Sequence, residues 1–303
     1  VGAHLNVETI MSSNLVNPFA SGSYLWSADL HQALTANVAA ALAEDVGAAD
    51  LTGLLVDPDK LVQAQVIVRE DAVLAGAPWF DAVMAALDAR IQVDWQYPEG
   101  AQMLADSVVC KIQAPARALL TAERSALNFL QLLSAVATKT RLYTELIAGT
   151  QAAILDTRKT VPGLRLAQKY AVRVGGGKNQ RLALYDGILI KENHIAAAGG
   201  IAQALQQANA LNAGVSIQIE VETLDELQQA LHAGAQSILL DNFSTSMMRE
   251  AVAMNLGRAV LEASGGVDIA SVRAIAETGV DRISIGSLTK DVKATDFSLR
   301  ILA

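Results

Sequence analysis

Short apolar runs recur through the second half of the chain, and a polar, charged or small residue follows each run. Segments rich in Ala, Leu and Gln separate several runs, notably 198–212 and 224–233, and their spacing is typical of helices. Strands that alternate with helices and are apolar on both faces predict parallel βαβ units. The predicted strands are 153–155 before Asp156, 188–190 before Lys191, 217–219 before Glu220, 238–240 before Asp241, 260–261 before 262–266, and 283–285 before Gly286.

These predicted strands are fewer than the eight of the usual closed αβ barrel, so we expect a smaller or open barrel. In parallel folds, functional side chains collect at the carboxyl ends of the strands, because loops vary there without disturbing the core. The residues that follow the runs are therefore predicted to form one active-site rim.

The first half of the chain has a different pattern, which indicates a small mixed sheet with helices on it. Residues 1–28 are polar and aperiodic, and they indicate an N-terminal arm. Helices are predicted over 29–44, 79–87 and 116–148, and strands over 61–69, 72–76, 91–96 and 107–114.

Composition excludes several classes of protein. The apolar fraction of 52% is ample for a core, and the single cysteine, Cys110, excludes an intrachain disulfide framework and a cysteine-rich zinc site. No apolar run approaches the ~18 residues that span a bilayer, and no signal peptide is recognisable, so a cytoplasmic location is expected. The net charge of −8 argues against general nucleic-acid binding.

Positive charge is concentrated between Asp156 and Lys191. This segment carries a surplus of basic residues, although the whole chain has 23 Lys plus Arg against 31 Asp plus Glu. Such a cluster in an acidic protein predicts a pocket for an anion, since Arg fits carboxylates and phosphates and Lys supplies a compact charge. The basic residues are Arg158, Lys159, Arg165, Lys169, Arg173, Lys178, Arg181 and Lys191.

Several motifs of the rim have both a functional and a structural interpretation. Arg158 and Lys159 follow a strand and precede a Pro-Gly turn, which favours anion binding over a solvated basic turn. The glycine triplet 175–177 could bring backbone N–H groups to an anion, or form a flexible surface turn. Lys191 could bind a carboxylate, form a Schiff base, or extend its stem along the barrel mouth to solvent. His194 is expected to be a hydrogen-bonded structural histidine.

The acids and small residues at later strand ends complete the predicted rim. Glu220 and Asp241 end consecutive strands and could bind Mg²⁺, sugar hydroxyls or a cationic transition state, or instead pair with the basic segment. The turns at 264–266 and 284–287 are small and glycine-rich, as in the phosphate sites of αβ barrels, although close backbone packing would also explain each turn alone.

These motifs are similar to those of the quinolinate phosphoribosyltransferase family, the carboxylating nicotinate-nucleotide pyrophosphorylases. The resemblance covers nearly the whole chain from about Asp29 onward. Its most specific element is the run Asp-Thr-Arg-Lys-Thr-x-Pro-Gly-x-Arg at 156–165. The other matching segments are 44–52, 123–129, 169–177, 189–194, 220–222, 240–243, 262–266 and 279–289.

The resemblance implies an α/β fold with an N-terminal α/β sandwich domain over 29–137 and an open αβ barrel of about six parallel strands over 138–290. A C-terminal segment, 291–303, is expected to pack back on the N-terminal domain. The resemblance also implies a homodimer in which the N-terminal domain of one subunit caps the barrel of the other, with Arg124 reaching the partner's site.

The implied reaction joins quinolinate to 5-phosphoribosyl 1-diphosphate and yields nicotinate mononucleotide, diphosphate and CO₂, a step of de novo NAD biosynthesis. Mg²⁺ is the implied cofactor, held mainly by the substrate diphosphate near Glu220 and Asp241. By the resemblance, Lys159, Lys191, Glu220 and Asp241 are the expected catalytic residues. The expected substrate-binding residues are Arg124, Arg158, Lys159, Gln180, Arg181, Lys191, Glu220, Asp241, Ser264, Gly265, Gly266, Ser284 and Gly286.

One position departs from the family pattern, which often has His where this chain has Gln180. An amide can hydrogen-bond a carboxylate but carries no charge, so Gln180 is expected to position the substrate at most. Two rival hypotheses stay open: a related barrel pyrophosphorylase that acts on a nucleobase, mononucleotide or monocarboxylate, and a non-catalytic sensor of a phosphate ligand. The number of cations favours a dicarboxylate.

Overall fold

A computed structural model describes residues 26–302, and these residues form two compact units. The first unit comprises 26–139, 161–175 and 291–302, and the second comprises 140–160 and 176–290. The predicted N-terminal arm lies outside the described residues, except for 26–28.

The first unit is built on an antiparallel sheet with helices packed against it. Its strand order is β12-β1-β5-β3, and β2 pairs separately with β4. The strands are β1 (Leu61–Val68), β2 (Ala72–Val73), β3 (Gln92–Trp95), β4 (Gln102–Met103), β5 (Val108–Pro115) and β12 (Phe297–Ile301). The helices are α1 (Ala28–Asp45), a 3-10 turn (Gly53–Leu55), α2 (Ala77–Leu87), α3 (Ala116–Leu146) and α4 (Arg165–Val174). The last residues of α3, 140–146, belong to the second unit.

Helix α1 illustrates how sequence sets these elements. Ser27 caps its first turn by accepting a hydrogen bond from the backbone N–H of Leu30, and Leu34, Val38 and Leu42 continue the buried stripe at helical spacing. The helix predicted over 29–44 is therefore confirmed. Next to it, Trp26 packs edge-on against the rings of Trp79 and Tyr170 within the first-unit core.

The second unit contains a parallel sheet with strand order β6-β11-β10-β9-β8-β7, which confirms the predicted βαβ pattern and the open barrel of six strands. Its strands are β6 (Ala153–Leu155), β7 (Gly187–Ile190), β8 (Ser216–Val221), β9 (Ser237–Asp241), β10 (Val260–Ser264) and β11 (Arg282–Ser284). Its helices are α5 (Glu192–Ala198), α6 (Ile201–Ala210), α7 (Leu224–His232), α8 (Thr245–Asn255), α9 (Val272–Ala276) and α10 (Ser287–Lys290).

The segment 178–187 begins beside one edge strand of this sheet, β6, and leads into the other edge strand, β7. Lys178 forms a parallel bridge with Leu155 of β6, and its backbone N–H donates to the carbonyl of Ile154 at 2.8 Å. The chain then runs from this edge to Gly187, the first residue of β7. We call residues 178–187 the closing segment, because it spans the gap between the edge strands.

Two elements differ from the sequence expectation. The helix expected over 198–212 corresponds to α6 and begins only at Ile201, because Gly199 and Gly200, which separate α5 from α6, adopt positive φ angles of 89° and 135°. Helix α4 lies in the range that the sequence assigned to the barrel. It instead contributes Tyr170 and Val172 to the first-unit core, together with Ala167 and Ala171.

Candidate active site

The carboxyl edge of the parallel sheet brings the predicted polar residues together. Ile190 of β7 pairs in register with Ile219 of β8, so Lys191 and Glu220 follow side by side. Ile219 belongs to the apolar cluster that the helices cover, so its neighbour Glu220 faces the opposite side of the sheet. Asp241 ends the next strand, β9, and pairs in register with Ser264 of β10.

Lys191 and Glu220 form an ion pair at this edge. The Lys191 ammonium lies 2.8 Å from Oε2 and 3.2 Å from Oε1 of Glu220. Lys191 is the extended residue that precedes α5, and its backbone N–H donates to Nδ1 of His194 at 3.0 Å. The imidazole thus caps the start of α5, and the expectation of a hydrogen-bonded structural histidine is confirmed.

Asp241 is oriented by a tight turn. Asn242 adopts a left-handed φ of 56°, its side-chain amide donates to the Asp241 carboxylate at 2.8 Å, and its backbone N–H donates to the Ser264 carbonyl at 2.9 Å. Gly265 has a φ of 97°, and a Cβ atom there would overlap the Asn242 side chain. Only glycine fits this position, so the expected small-residue turn is tied to the placement of Asp241.

Lys159 lies across the turn that follows β11. A Cβ atom at Gly286 would come 2.9 Å from Cδ of Lys159 and 3.6 Å from Oγ1 of Thr157. The Lys159 carbonyl accepts a hydrogen bond from the Thr289 hydroxyl at 2.8 Å, and its N–H donates to the Thr157 hydroxyl at 3.1 Å. Glycine at position 286 therefore leaves room for the lysine stem, and the exposed ammonium stays available to an anion.

The two arginines of the predicted anion pocket carry charge that is poorly compensated. Nε of Arg158 is buried, and among the buried side-chain nitrogen and oxygen atoms of residues 26–302 it is the one that lacks a hydrogen-bond partner. Burial, followed by the nearby charge of Arg158, lowers the pKa of Arg181, and Asp186 opposes this shift. Nη1 of Arg181 donates to the carbonyl of Gly187 at 2.9 Å, so this guanidinium is turned towards the beginning of β7. A bound anion would relieve the repulsion between these arginines.

Gln180 is placed differently from the sequence hypothesis. Its amide lies inside the barrel, where Nε2 donates to Oε1 of Gln218 and to the carboxylate of Glu262. Gln218 and Glu262 were not recognised from sequence. Both stand two residues before predicted rim residues, Glu220 and Ser264, and period-two alternation could have assigned them to the same face.

The remaining predicted residues are placed as follows. Ser284 is buried and its hydroxyl donates to the carbonyl of Ala263 at 3.4 Å, whereas Gly266 is exposed with a φ of 60°. Arg124 belongs to α3 in the first unit and is exposed.

The carboxylates of the rim are suited to share a metal ion with a substrate. Within residues 26–302, no group of three or more His, Cys, Asp or Glu side chains could hold a metal. Mg²⁺ is commonly held by one or two carboxylates together with substrate phosphates. Glu220 and Asp241 fit that donor set, and the ion pair of Glu220 with Lys191 would have to open for Glu220 to take part.

Comparison with known proteins agrees with this geometry. The C-terminal and N-terminal domain profiles of quinolinate phosphoribosyl transferase match residues 136–300 and 50–134. The chain is 39% identical over 259 residues to the probable nicotinate-nucleotide pyrophosphorylase [carboxylating] of Bacillus subtilis, covering 85% of this chain and 90% of that protein. It is 37% identical over 289 residues to the chloroplastic nicotinate-nucleotide pyrophosphorylase [carboxylating] of Arabidopsis thaliana, covering 88% and 82%.

A solved structure supports the same assignment. The nicotinate-nucleotide pyrophosphorylase of Francisella tularensis superposes with a TM-score of 0.87 at 45% identity, covering 89% of this chain and 96% of that chain. The matched profiles together span most of the chain, and the sequence motifs, the parallel sheet and the rim geometry are consistent with them. The chain therefore belongs to the quinolinate phosphoribosyltransferase family.

Proposed function

We propose that this protein transfers the phosphoribosyl group of 5-phosphoribosyl 1-diphosphate to quinolinate with loss of CO₂, giving nicotinate mononucleotide and diphosphate. The observation that carries the proposal is the ion pair of Lys191 with Glu220 beside Asp241 at one edge of the parallel sheet. This edge offers cations for a dicarboxylate and carboxylates for an electron-poor sugar carbon.

The chemistry follows from these charges. As the bond from ribose C1 to diphosphate breaks, its electron pair leaves with the diphosphate, and positive charge develops at C1. Glu220 and Asp241 would stabilise that charge through space. Arg158, Lys159 and Lys191 would hold the two carboxylates of quinolinate together with Arg181, so that the pyridine nitrogen forms the new bond to C1.

Decarboxylation then needs no protein nucleophile. The nitrogen bears a positive charge after it bonds to C1, and this charge stabilises negative charge that develops on the neighbouring C2. The bond from C2 to its carboxylate breaks, CO₂ leaves, and the electron pair stays on C2 until a proton from solvent replaces the carboxylate. The role of the protein is to bind, to orient and to balance charge.

We also propose that Mg²⁺ accompanies the diphosphate substrate and that Glu220 and Asp241 are its protein ligands. When bound, the ion would neutralise charge on the leaving diphosphate. The buried, unpaired Cys110 suits a reducing compartment, and we propose a cytoplasmic location. No helix of the described chain is long and apolar enough to cross a membrane.

The decisive experiment measures CO₂ release and diphosphate formation from purified protein, 5-phosphoribosyl 1-diphosphate and either quinolinate or nicotinate. The proposal expects one CO₂ and one diphosphate per quinolinate consumed, and little turnover with nicotinate. Activity with nicotinate alone would support the rival pyrophosphorylase, and binding of the phosphoribosyl donor without turnover would support the sensor.

We further propose that the protein is a homodimer and that Arg124 completes the site of the partner. The exposure of this arginine on α3 is consistent with such a role. Arg124→Ala and Lys159→Ala chains should each retain only a small residual activity as homodimers. After subunit exchange, roughly a quarter of the sites should regain both residues. No recovery despite exchange demonstrated by mass spectrometry would contradict a shared site.

A further inference from the structure

A carboxylate inside the barrel is not among the site residues predicted from sequence. Glu262 of β10 is fully buried, with 0% of its surface exposed, and it forms no ion pair within the part of the chain that the structure describes. Arg282 is its register neighbour on β11, yet the two side chains are not paired. A buried charge without a cation requires strong hydrogen bonds, so the groups that supply them are structurally important.

Two side-chain amides supply these bonds. Nε2 of Gln180 donates to both oxygens of Glu262, at 2.9 and 3.0 Å, and Nε2 of Gln218 donates to one of them at 3.0 Å. An ionised carboxylate only accepts hydrogen bonds, so each amide must turn its nitrogen towards Glu262. The orientation of both glutamines is thus determined by the charge of one residue.

The orientation of the Gln180 amide also fixes the backbone of the closing segment. With its nitrogen on Glu262 and on Oε1 of Gln218, the Gln180 amide directs its oxygen to the backbone N–H of Arg181, at 2.8 Å. The backbone N–H of Gln180 itself donates to Asp156 at 2.9 Å. Both hydrogens of the Gln180 amide are therefore used inside the protein, which leaves none for a substrate carboxylate.

Arg181 needs such support, because it lies near enough to Arg158 for the two charges to repel each other. Repulsion would favour a movement of the closing segment away from the site when no anion is bound. We propose that Glu262, acting through Gln180 and Gln218, is a positioning residue that holds Arg181 in place for the dicarboxylate substrate. This inference rests on the proposed function and identifies a residue for which the family resemblance implied no role.

The first test is Glu262→Gln, which keeps the size of the side chain and removes its charge. The new amide would bring its own N–H donors against those of Gln180 and Gln218. We expect the KM for quinolinate to rise by about tenfold or more, since a hydrogen bond to a charged group is lost. The kcat and the KM for the phosphoribosyl donor should change by less than about threefold. Glu277→Gln is the matched control, because Glu277 forms only an exposed ion pair with Arg273, and it should leave all three constants unchanged.

A second variant keeps the test decisive if Glu262→Gln does not fold. Gln180→Asn retains an amide but shortens the side chain by one methylene, so it no longer reaches Glu262. It should show the same selective rise in the KM for quinolinate. A folded Glu262→Gln or Gln180→Asn protein with a quinolinate KM within about twofold of the parent value would overturn the inference. A lower kcat, higher KM values for both substrates and a lower melting temperature, all in the same variant, would also overturn the inference, because they indicate a purely structural role. Absence of quinolinate turnover in the parent would instead refute the proposed function.

Discussion

The ammonium group of Lys191 contacts both carboxylate oxygens of Glu220, and the register of β7 with β8 determines this pairing. The Lys191 side chain is 44% exposed and that of Glu220 is 10% exposed. A pair with one exposed partner contributes at most about 1 kcal/mol to stability. The main role of the ion pair is therefore to hold the Glu220 carboxylate at the edge of the sheet.

Glu220→Gln should lower the catalytic rate without lowering the stability of the protein. We expect kcat with quinolinate to fall by about 10²- to 10³-fold, because the amide cannot stabilise positive charge at ribose C1. The melting temperature should change little, since the lost pair is weak. Asp225→Asn provides the control, because Asp225 is an exposed carboxylate that accepts a bond from Gln229. Equal turnover of the two variants would remove Glu220 from the proposed mechanism.

The contact of Gly286 with the Lys159 stem predicts a specific coupling between the two positions. In Gly286→Ala, the added methyl group would lie 2.9 Å from Cδ of Lys159 and would displace this flexible side chain. The kcat/KM for quinolinate should fall by about tenfold or more while the fold is retained.

A double-mutant cycle tests whether Lys159 transmits this effect. In a Lys159→Ala background, Gly286→Ala should cause less than about a twofold further loss, because the displaced group is already absent. Independent, multiplicative losses would mean that the alanine acts on another part of the site.

Two adjacent glycines after β10 should respond differently to alanine. Gly265→Ala would force a φ of 97° on a residue with a Cβ and would press that atom into Asn242. This should lower the free energy of unfolding by about 1–3 kcal/mol. Gly266 has a φ of 60° and open space around it, so Gly266→Ala should cost about 1 kcal/mol. Chemical denaturation of both variants checks the difference, and equal losses would contradict the role assigned to the Asn242 contact.

The strand ends could be predicted from sequence because each strand is a short apolar run, and the polar residue that ends it is the next residue in the chain. Lys191, Glu220 and Asp241 were found in this way. Glu262 was not found, because its importance depends on Gln180, which is 82 residues away in sequence. Helix α4 was not predicted either. Its basic residues were interpreted as an anion-binding motif. Its apolar residues pack against the first-unit core, and the sequence of the helix alone does not show that core.

Two partly buried carboxylates in the first unit make its stability depend on pH. Burial raises the pKa of Glu99 to about 7, against hydrogen bonds from the N–H groups of Gly76 and Ala77 and from the Tyr170 hydroxyl. Burial also raises the pKa of Asp81 to about 7, although the Trp95 indole donates to it. Each acid binds its proton more tightly in the folded chain than in the unfolded chain.

The sign of the effect follows from this linkage. The stabilisation is complete below the ordinary pKa of 4.5 for Glu99 and 3.8 for Asp81, and it is lost as the pH rises through about 7. Glu99 alone could account for roughly 3 kcal/mol of this loss. We therefore expect the first unit to be less resistant to urea at about pH 8 than at about pH 5.

Tryptophan fluorescence can follow this unit selectively, because Trp26, Trp79 and Trp95 are the three tryptophans of the chain and all belong to it. Glu99→Gln cannot ionise, so its urea midpoint should vary less with pH than that of the parent protein. Asp88→Asn is the control, since hydrogen bonds from Arg90 lower the pKa of Asp88 and place its titration below this range. A parent midpoint that stays constant or rises between these pH values would show that Glu99 and Asp81 ionise near their ordinary values in the folded protein.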